Sequence, residues 1–291
     1  MKKNKRDILE RRRNVPERIF FLMVFLFLFI WSAIMVYMLV WAAMSSLKTN
    51  LEYVNNPLSL PTALHFENYK IAIGKLYHNG VGFWGMLYNS LWQTVGPAVI
   101  SITTTMLTGY IFAQYNFKGK EFLFALVVFT MTIPIYGNFA ANYKLNYDLG
   151  LNDSYKFLIR AFSGFNGSML LTYGYFKGIP KELRESVYMD GGSDFTACFK
   201  IYMPLARNIF VALFLLSFIA GWNDYQTSLL YFDKMPTLAL GLFDFQQEIM
   251  YVANNPAYFA GCIIVAIPVL IIFIFGSDKI MGQLYSGGLK G

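Results

Sequence analysis

The 291-residue chain is poor in charge, cysteine and histidine: 14% of its residues are charged, two are Cys and two are His. Soluble domains carry charge on about a quarter of their residues, so an ordinary solvated surface is excluded and a membrane is the first expectation. Cys198 and Cys262 form no CxxC pair and have no neighbouring histidines, which excludes a disulfide framework and a structural zinc site. His65 and His78 fall in one polar connection and read as solvated surface. The chain has no GxxxxGK[ST] loop to cradle phosphates, and no span carries the cluster of His, Cys or carboxylates that a membrane-embedded enzyme needs.

What the chain does have is apolar and aromatic material, 56% and 18% of its residues, with a net charge of +7. The basic residues lie at the ends of apolar stretches, without the aromatic or polar readers beside them that nucleic-acid binding requires. A basic N-terminus, MKKNKRDILERRRNVPER, precedes an apolar run longer than the core of a signal peptide, about 7 to 15 residues. It is expected to stay on the mature chain.

A helix needs about 20 apolar residues to cross the hydrocarbon core, since its backbone groups must be satisfied within the span. Six stretches meet this requirement, and the sequence predicts an all-α polytopic membrane protein with six transmembrane helices. They run over residues 19–44, 86–113, 122–141, 155–176, 209–230 and 257–275. The corresponding division is a basic tail (1–18), a first transmembrane helix (19–46), an external connection (47–85), a five-helix core (86–280) and a C-terminal tail (281–291). Pro97, Pro134 and Pro268 are expected to kink their spans.

Lys and Arg orient the chain. The N-terminal tail holds eight, the turn at Lys118 and Lys120 two, the segment from Lys177 to Arg207 five, and the C-terminal tail two, against six in the opposite connections. By the positive-inside rule both termini and the segment 179–208 face the cytoplasm.

That segment, IPKELRESVYMDGGSDFTACFKIYMPLARN, is too polar to span. Pro180 suits a first helical turn, and Glu182 and Glu185 sit near the positive end of the helix dipole. Gly191 and Gly192 can end that helix in a left-handed conformation, and Ser193 can cap a second helix through Phe195, Phe199 and Tyr202. By pattern alone this is a helix, a Gly-Gly break and a helix on the cytoplasmic face, which an amphipathic membrane-surface hairpin would also satisfy.

The spacing resembles the signature of ABC importer permeases: Glu-Ala-Ala, then Gly after three residues, then Ile, any residue, Leu and Pro after nine more. Glu185, Gly191, Ile201 and Pro204 occupy the matching positions; Ser186 and Val187 replace the alanines and Met203 the leucine. Further short matches, in family order, are SLKTNLEYVNNPLSLP, the Tyr88 to Leu91 run, FKGKEF, GLNDS at 150–154, GWNDY at 221–225 and the terminal SGGLKG. Together they resemble the carbohydrate-uptake branch, specifically the second permease of maltose-type transporters.

The resemblance implies a type I importer in a bacterial cell membrane. A second permease subunit would complete the pathway, two cytoplasmic ATPase subunits using ATP and Mg would dock below, and an extracytoplasmic binding protein would deliver the solute. This chain itself is expected to bind no cofactor and to hydrolyse no ATP. Glu185, Ser186, Val187, Asp190, Gly191, Gly192, Ile201 and Pro204 would form the element that couples to the ATPase.

For the substrate path the candidates are Arg160 in the fourth span and Asp224 in the fifth, because charge inside a membrane is costly and defaults to function. The resemblance adds Trp222 and Asn223, whose family pattern implies a cavity-lining or gate role for Asp224. Arg160 can equally snorkel to the interface. Trp222, Tyr225 and Phe218 suit either stacking on sugar faces or ordinary helix packing. The sequons at Asn152 and Asn166 read as chance matches. An ion-gradient-driven secondary transporter is the alternative from another class, although neither an internal repeat nor a second intramembrane carboxylate speaks for it.

Overall fold

The computed structural model describes residues 15–133, 137–252 and 254–287, with side chains taken outside 15, 250, 252 and 277–287. Pro134 and most of the basic N-terminal tail lie outside the described residues.

Helix α1 (Val15–Ser45) is apolar on all sides and leaves the bundle along most of its length, with Phe27 65% exposed. It joins the rest only near its end, where Trp41 packs against Phe259 at 5.1 Å and Ser45 and Ser46 are buried. A helix apolar all round needs a non-aqueous neighbour on every face. The short helices α2 (Asn50–Asn55) and α3 (Glu67–Lys75) follow, then a hairpin of β1 (Tyr77–His78) and β2 (Val81–Gly82). Its Asn79-Gly80 turn has positive φ at both residues, as a two-residue hairpin requires.

This connection is less solvated than its composition suggests. Lys48 is fully buried, its Nζ donating to the carbonyls of Asn56 (2.9 Å) and Pro57 (3.1 Å). His78, expected as plain surface, is half-buried with Nδ1 2.6 Å from Asp244 Oδ2.

Helix α4 (Phe83–Gln114) is the organising rod, with Pro97 inside it. Helices α5 (Lys120–Thr132) and α6 (Phe139–Asp148) come next, then a 3-10 turn (Tyr155–Ala161) and α7 (Gly167–Lys177). Gly109 lets α4 and α7 touch: a Cβ there would lie 2.1 Å from Thr172 Oγ1 and 2.9 Å from the Tyr173 backbone nitrogen. Close backbone approach through small residues is how helices associate where burial of apolar surface gives no driving force.

The polar segment contains α8 (Glu182–Met189), α9 (Asp194–Thr196), a π-helical turn (Ala197–Tyr202) and α10 (Met203–Leu205). Beyond it lie α11 (Arg207–Trp222), α12 (Tyr225–Tyr231), α13 (Leu238–Val252) and α14 (Asn255–Gly287). Four apolar clusters hold the described residues together, and the two largest mark the two ends of the bundle. One centres on Tyr110, Phe176 and Tyr202 beside the polar segment; the other centres on Met86, Trp222 and Leu238 toward the opposite end.

The protein is helical, as expected, but the count of six crossings is not reproduced. Among the described residues three helices are long and apolar enough to cross a membrane: Pro16–Ser45, Phe83–Gln114 and Asn255–Gly276. Asp194–Leu205 and Arg207–Trp222 make a fourth if a 67° bend is counted as one broken span. The expected third and fourth spans are made of shorter pieces. In the fourth, Asn166 caps α7 by accepting from Met169 N at 3.1 Å, so the helix starts there and residues 155–161 form a 3-10 turn instead. A sum of hydropathy over 20 residues does not register such a cap.

Candidate functional site: the 179–208 segment

The polar segment adopts the helix, break and helix that its residues dictate. Glu182 and Glu185 lie in the first turn of α8, although Pro180 stands just before the helix rather than inside it. Gly191, at φ +76°, takes the left-handed conformation. Its N–H donates to the Tyr188 carbonyl (3.0 Å), and that of Gly192 reaches back to Val187 (2.8 Å). These two bonds form a Schellman cap, which satisfies carbonyls that the ending helix leaves free. Ser193 then starts α9, its hydroxyl accepting from Thr196 N at 3.3 Å.

The two glycines have different reasons to be glycine. A Cβ on Gly191 would meet open space, so backbone conformation alone selects it. A Cβ on Gly192 would sit 2.6 Å from Val187 Cγ1 and 2.9 Å from the Val187 carbonyl, so here contact selects. Val187 is buried beneath the break, while Glu185, Ser186, Asp190 and Gly191 are exposed. Met189, at 87% exposure, and Phe195, at 69%, add apolar surface to the same element. Ile201 is half-buried in the π-helical turn, and Pro204 lies in α10 at the bend into α11.

Six residues that sequence reasoning did not assign to the site anchor this element to α4 and α7. The hydroxyls of Tyr115 (2.5 Å) and Tyr188 both donate to Asp194 Oδ1. Those donors, Tyr115 first, hold the Asp194 carboxyl below the usual carboxylate range. Burial, and then the Asp194 acceptor, push the Tyr115 phenol above its ordinary value, so it stays a donor. Arg184 donates from Nη1 to the Gln114 carbonyl at 2.6 Å and lies over the Tyr115 ring at 4.6 Å. Gln114 donates from Nε2 to the Phe176 carbonyl at 2.7 Å, and the Tyr202 hydroxyl lies 3.2 Å from its Oε1 and 3.1 Å from the Pro180 carbonyl. The one sequence signal for this network was an amide, Gln114, closing the apolar stretch Gly109–Ala113 at the end of the second predicted span.

The four residues expected along a substrate path are dispersed. Arg160 lies exposed in the 3-10 turn rather than in a helix spanning the membrane, over the rings of Phe157 (4.8 Å) and Tyr231 (5.2 Å). Trp222 is buried, with Nε1 donating to the Val265 carbonyl at 2.9 Å and its ring stacked on Phe218 at 5.4 Å. Asn223 ends α11 and donates to the Ile219 carbonyl. Asp224 caps α12, accepting from Thr227 N at 2.9 Å, and borders a cavity of about 390 Å³ beside the middle of α4, from Trp92 to Ser101. Asn166, one of the two sequons, is spent on capping α7 and on Thr105 Oγ1.

Residues 105–278, more than half the chain, match the family described as binding-protein-dependent transport system inner membrane component. The chain belongs to this family. The permease is 30% identical over 253 residues to the arabinooligosaccharides transport system permease protein AraQ of Bacillus subtilis (strain 168), covering 85% of this chain and 88% of AraQ. It is 24% identical over 272 residues to the diacetylchitobiose uptake system permease protein NgcG of Streptomyces coelicolor, covering 90% and 87%. Its fold is similar to a chain in the crystal structure of a bacterial ABC transporter involved in the import of the acidic polysaccharide alginate. The TM-score is 0.74 at 23% identity, over 91% of this permease and 98% of that chain. The matched region contains α7, the whole polar segment, α11 and most of α14, so the family is read on the elements that build the site. The relatives are named as transport permeases, in accord with the want of a phosphate loop.

Proposed function

We propose that this permease is one of two membrane-spanning subunits of an ABC importer that carries a sugar or oligosaccharide into a bacterial cell. The observation that carries the reading is the segment from Pro180 to Pro204. Its importer-type spacing coincides with a Schellman break at Gly191 and Gly192, and it presents Glu185, Met189 and Asp190 on an exposed face. The names of the relatives, which refer to arabinooligosaccharides and diacetylchitobiose, supply the substrate class.

On this reading the exposed face of α8 and its Gly-Gly break dock on one of two cytoplasmic ATPase subunits. Those subunits bind ATP and Mg and perform the hydrolysis. A second permease completes the pathway, and an extracytoplasmic binding protein delivers the sugar. Both termini and the docking segment lie in the cytoplasm, because Lys and Arg concentrate there. The chain crosses the membrane six times, with the third, fourth and fifth crossings made of broken helices packed inside the assembly. Irregular backbone at membrane depth is tolerated where protein or a water-filled cavity surrounds it.

Purification and reconstitution test the reading. The chain alone is expected to hydrolyse no ATP and to move no sugar, whereas the chain purified with its partners does both when loaded binding protein is added. Uptake by the lone subunit, driven by a proton or sodium gradient, would establish a secondary transporter instead.

A further inference from the structure

The cavity of about 390 Å³ beside Asp224 has the composition of a sugar subsite. Small-molecule sites commonly measure about 300–1,000 Å³ and combine apolar walls with a few placed polar groups. Here one wall is aromatic. Trp92 packs edge-on against Phe232 at 5.6 Å, and Phe157 packs against Phe232 at 4.8 Å, and all three rings line the space.

The rest of the lining includes polar groups that are incompletely satisfied. Asp224 uses Oδ1 to cap α12, and its Oδ2 has no hydrogen bond among the described residues. Ser101 and Ser217 line the same space, and neither hydroxyl has a partner among the described residues. Gln93 donates from Nε2 to the Met235 carbonyl, which leaves its Oε1 free to accept. Pro97 also lines the cavity; having no N–H, it cannot bond the Gln93 carbonyl one turn earlier.

Aromatic rings together with a carboxylate and hydroxyls suit a pyranose or furanose ring, which carries both C–H groups and hydroxyls. A divalent cation does not fit, since no group of three His, Cys, Asp or Glu side chains that could hold a metal occurs among the described residues. A lipid chain would leave the carboxylate and hydroxyls without partners, at a cost.

We propose that this cavity binds one unit of a neutral carbohydrate on its way through the pathway, with Asp224 accepting from its hydroxyls and the Trp92–Phe157–Phe232 wall covering its apolar face. The negative charge of Asp224 sets the cavity against uronates. The inference rests on the reading of the chain as a sugar permease.

The test uses the assembled transporter, with both permeases, the ATPases and the binding protein, in proteoliposomes. Arabinotriose, galactobiose and N,N′-diacetylchitobiose are offered, and whichever is taken up serves as the probe. Asp224→Asn keeps an acceptor for Thr227 N but removes the charge. Its uptake is expected to fall about tenfold, the usual effect of losing one charge-assisted hydrogen bond, with stimulated ATP hydrolysis retained. Ala220→Cys, on the exposed part of the lining, is expected to lose the uptake it retains once a bulky maleimide is attached after assembly, compared with the same variant before attachment. The probe sugar should slow that attachment, while the parent transporter is unaffected by the reagent.

Asp224→Asn uptake within about twofold of the parent, a difference too small for a lost charged bond, overturns the proposal. So does undiminished uptake by the alkylated Ala220→Cys transporter. If Asp224→Asn fails to assemble, the Ala220→Cys result decides alone, because its plug is installed after folding. If the parent takes up none of the three sugars, the sugar reading fails and the subsite falls with it.

Discussion

The hydroxyl of Tyr115, one residue beyond the end of α4, donates to the carboxylate of Asp194 at the start of α9 with a separation of 2.5 Å. The two residues are 79 positions apart, and their bond joins the segment proposed to dock the ATPase to the long rod α4. That rod also carries Trp92, Gln93 and Ser101 at the proposed sugar cavity. On the proposed reading, a push on α8 would reach the cavity through these hydrogen bonds and through α4.

Tyr115→Phe and Asp194→Asn are expected to loosen this joint. Because the carboxyl of Asp194 is held below its usual range, its contribution to stability is full above the unfolded value of about 3.9 and is lost as pH falls through the lowered folded value. The melting temperature of Asp194→Asn should thus lie below that of the parent at pH 7, and the gap should close on acidification. A gap that is the same at pH 7 and pH 3 would contradict this account. In the assembled transporter, Tyr115→Phe should weaken the response of ATP hydrolysis to loaded binding protein.

The two glycines should respond differently to substitution. Gly191→Ala carries only the penalty of its left-handed backbone, about 1 kcal/mol. Gly192→Ala forces its methyl group against Val187 and threatens the cap bond to the Val187 carbonyl, so overpacking of about 1–3 kcal/mol is expected. Thermal unfolding of the two variants ranks them. Gly191→Asp, which adds a charge to the docking face, should leave the chain in the membrane but abolish ATPase docking and uptake. Normal uptake with a docked ATPase would remove the segment from its coupling role.

Orientation is best probed at Met189. Cys198 sits in the same segment but is buried, and burial pushes its thiol up to about 11, so it reacts slowly on either side of the membrane. Met189 is 87% exposed. In a Cys198→Ala, Cys262→Ala background expressed without the ATPase subunits, Met189→Cys should react with an impermeant maleimide only after the cells are permeabilised. Labelling of intact cells would reverse the topology.

Trp222 should prove structural. Trp222→Phe loses the hydrogen bond to the Val265 carbonyl, a change of about 1 kcal/mol, while keeping most of the stacking on Phe218. Melting temperature should fall and uptake per folded transporter should not. A selective loss of uptake would return Trp222 to the solute path.

The local chemistry of the sequence determined the membrane class, the long apolar helices α1, α4 and α14, and the break at residues 190–193. Hydropathy, a left-handed glycine and a serine cap each act within a few residues and need no tertiary partner. Only the tertiary structure decided what Trp222 and Asp224 do. They are two residues apart, yet one turns into the bundle toward Val265 and the other borders an open cavity. It also decided that Gln114, Tyr115 and Asp194 belong to the site, and that Arg160 sits in a 3-10 turn. The physical reason is that each of these roles is set by a partner 43 to 79 residues away, or by a cap that ends a helix inside an apolar run. Side-chain partners so far apart are chosen by how helices cross, and periodicity along one helix holds no record of the crossing.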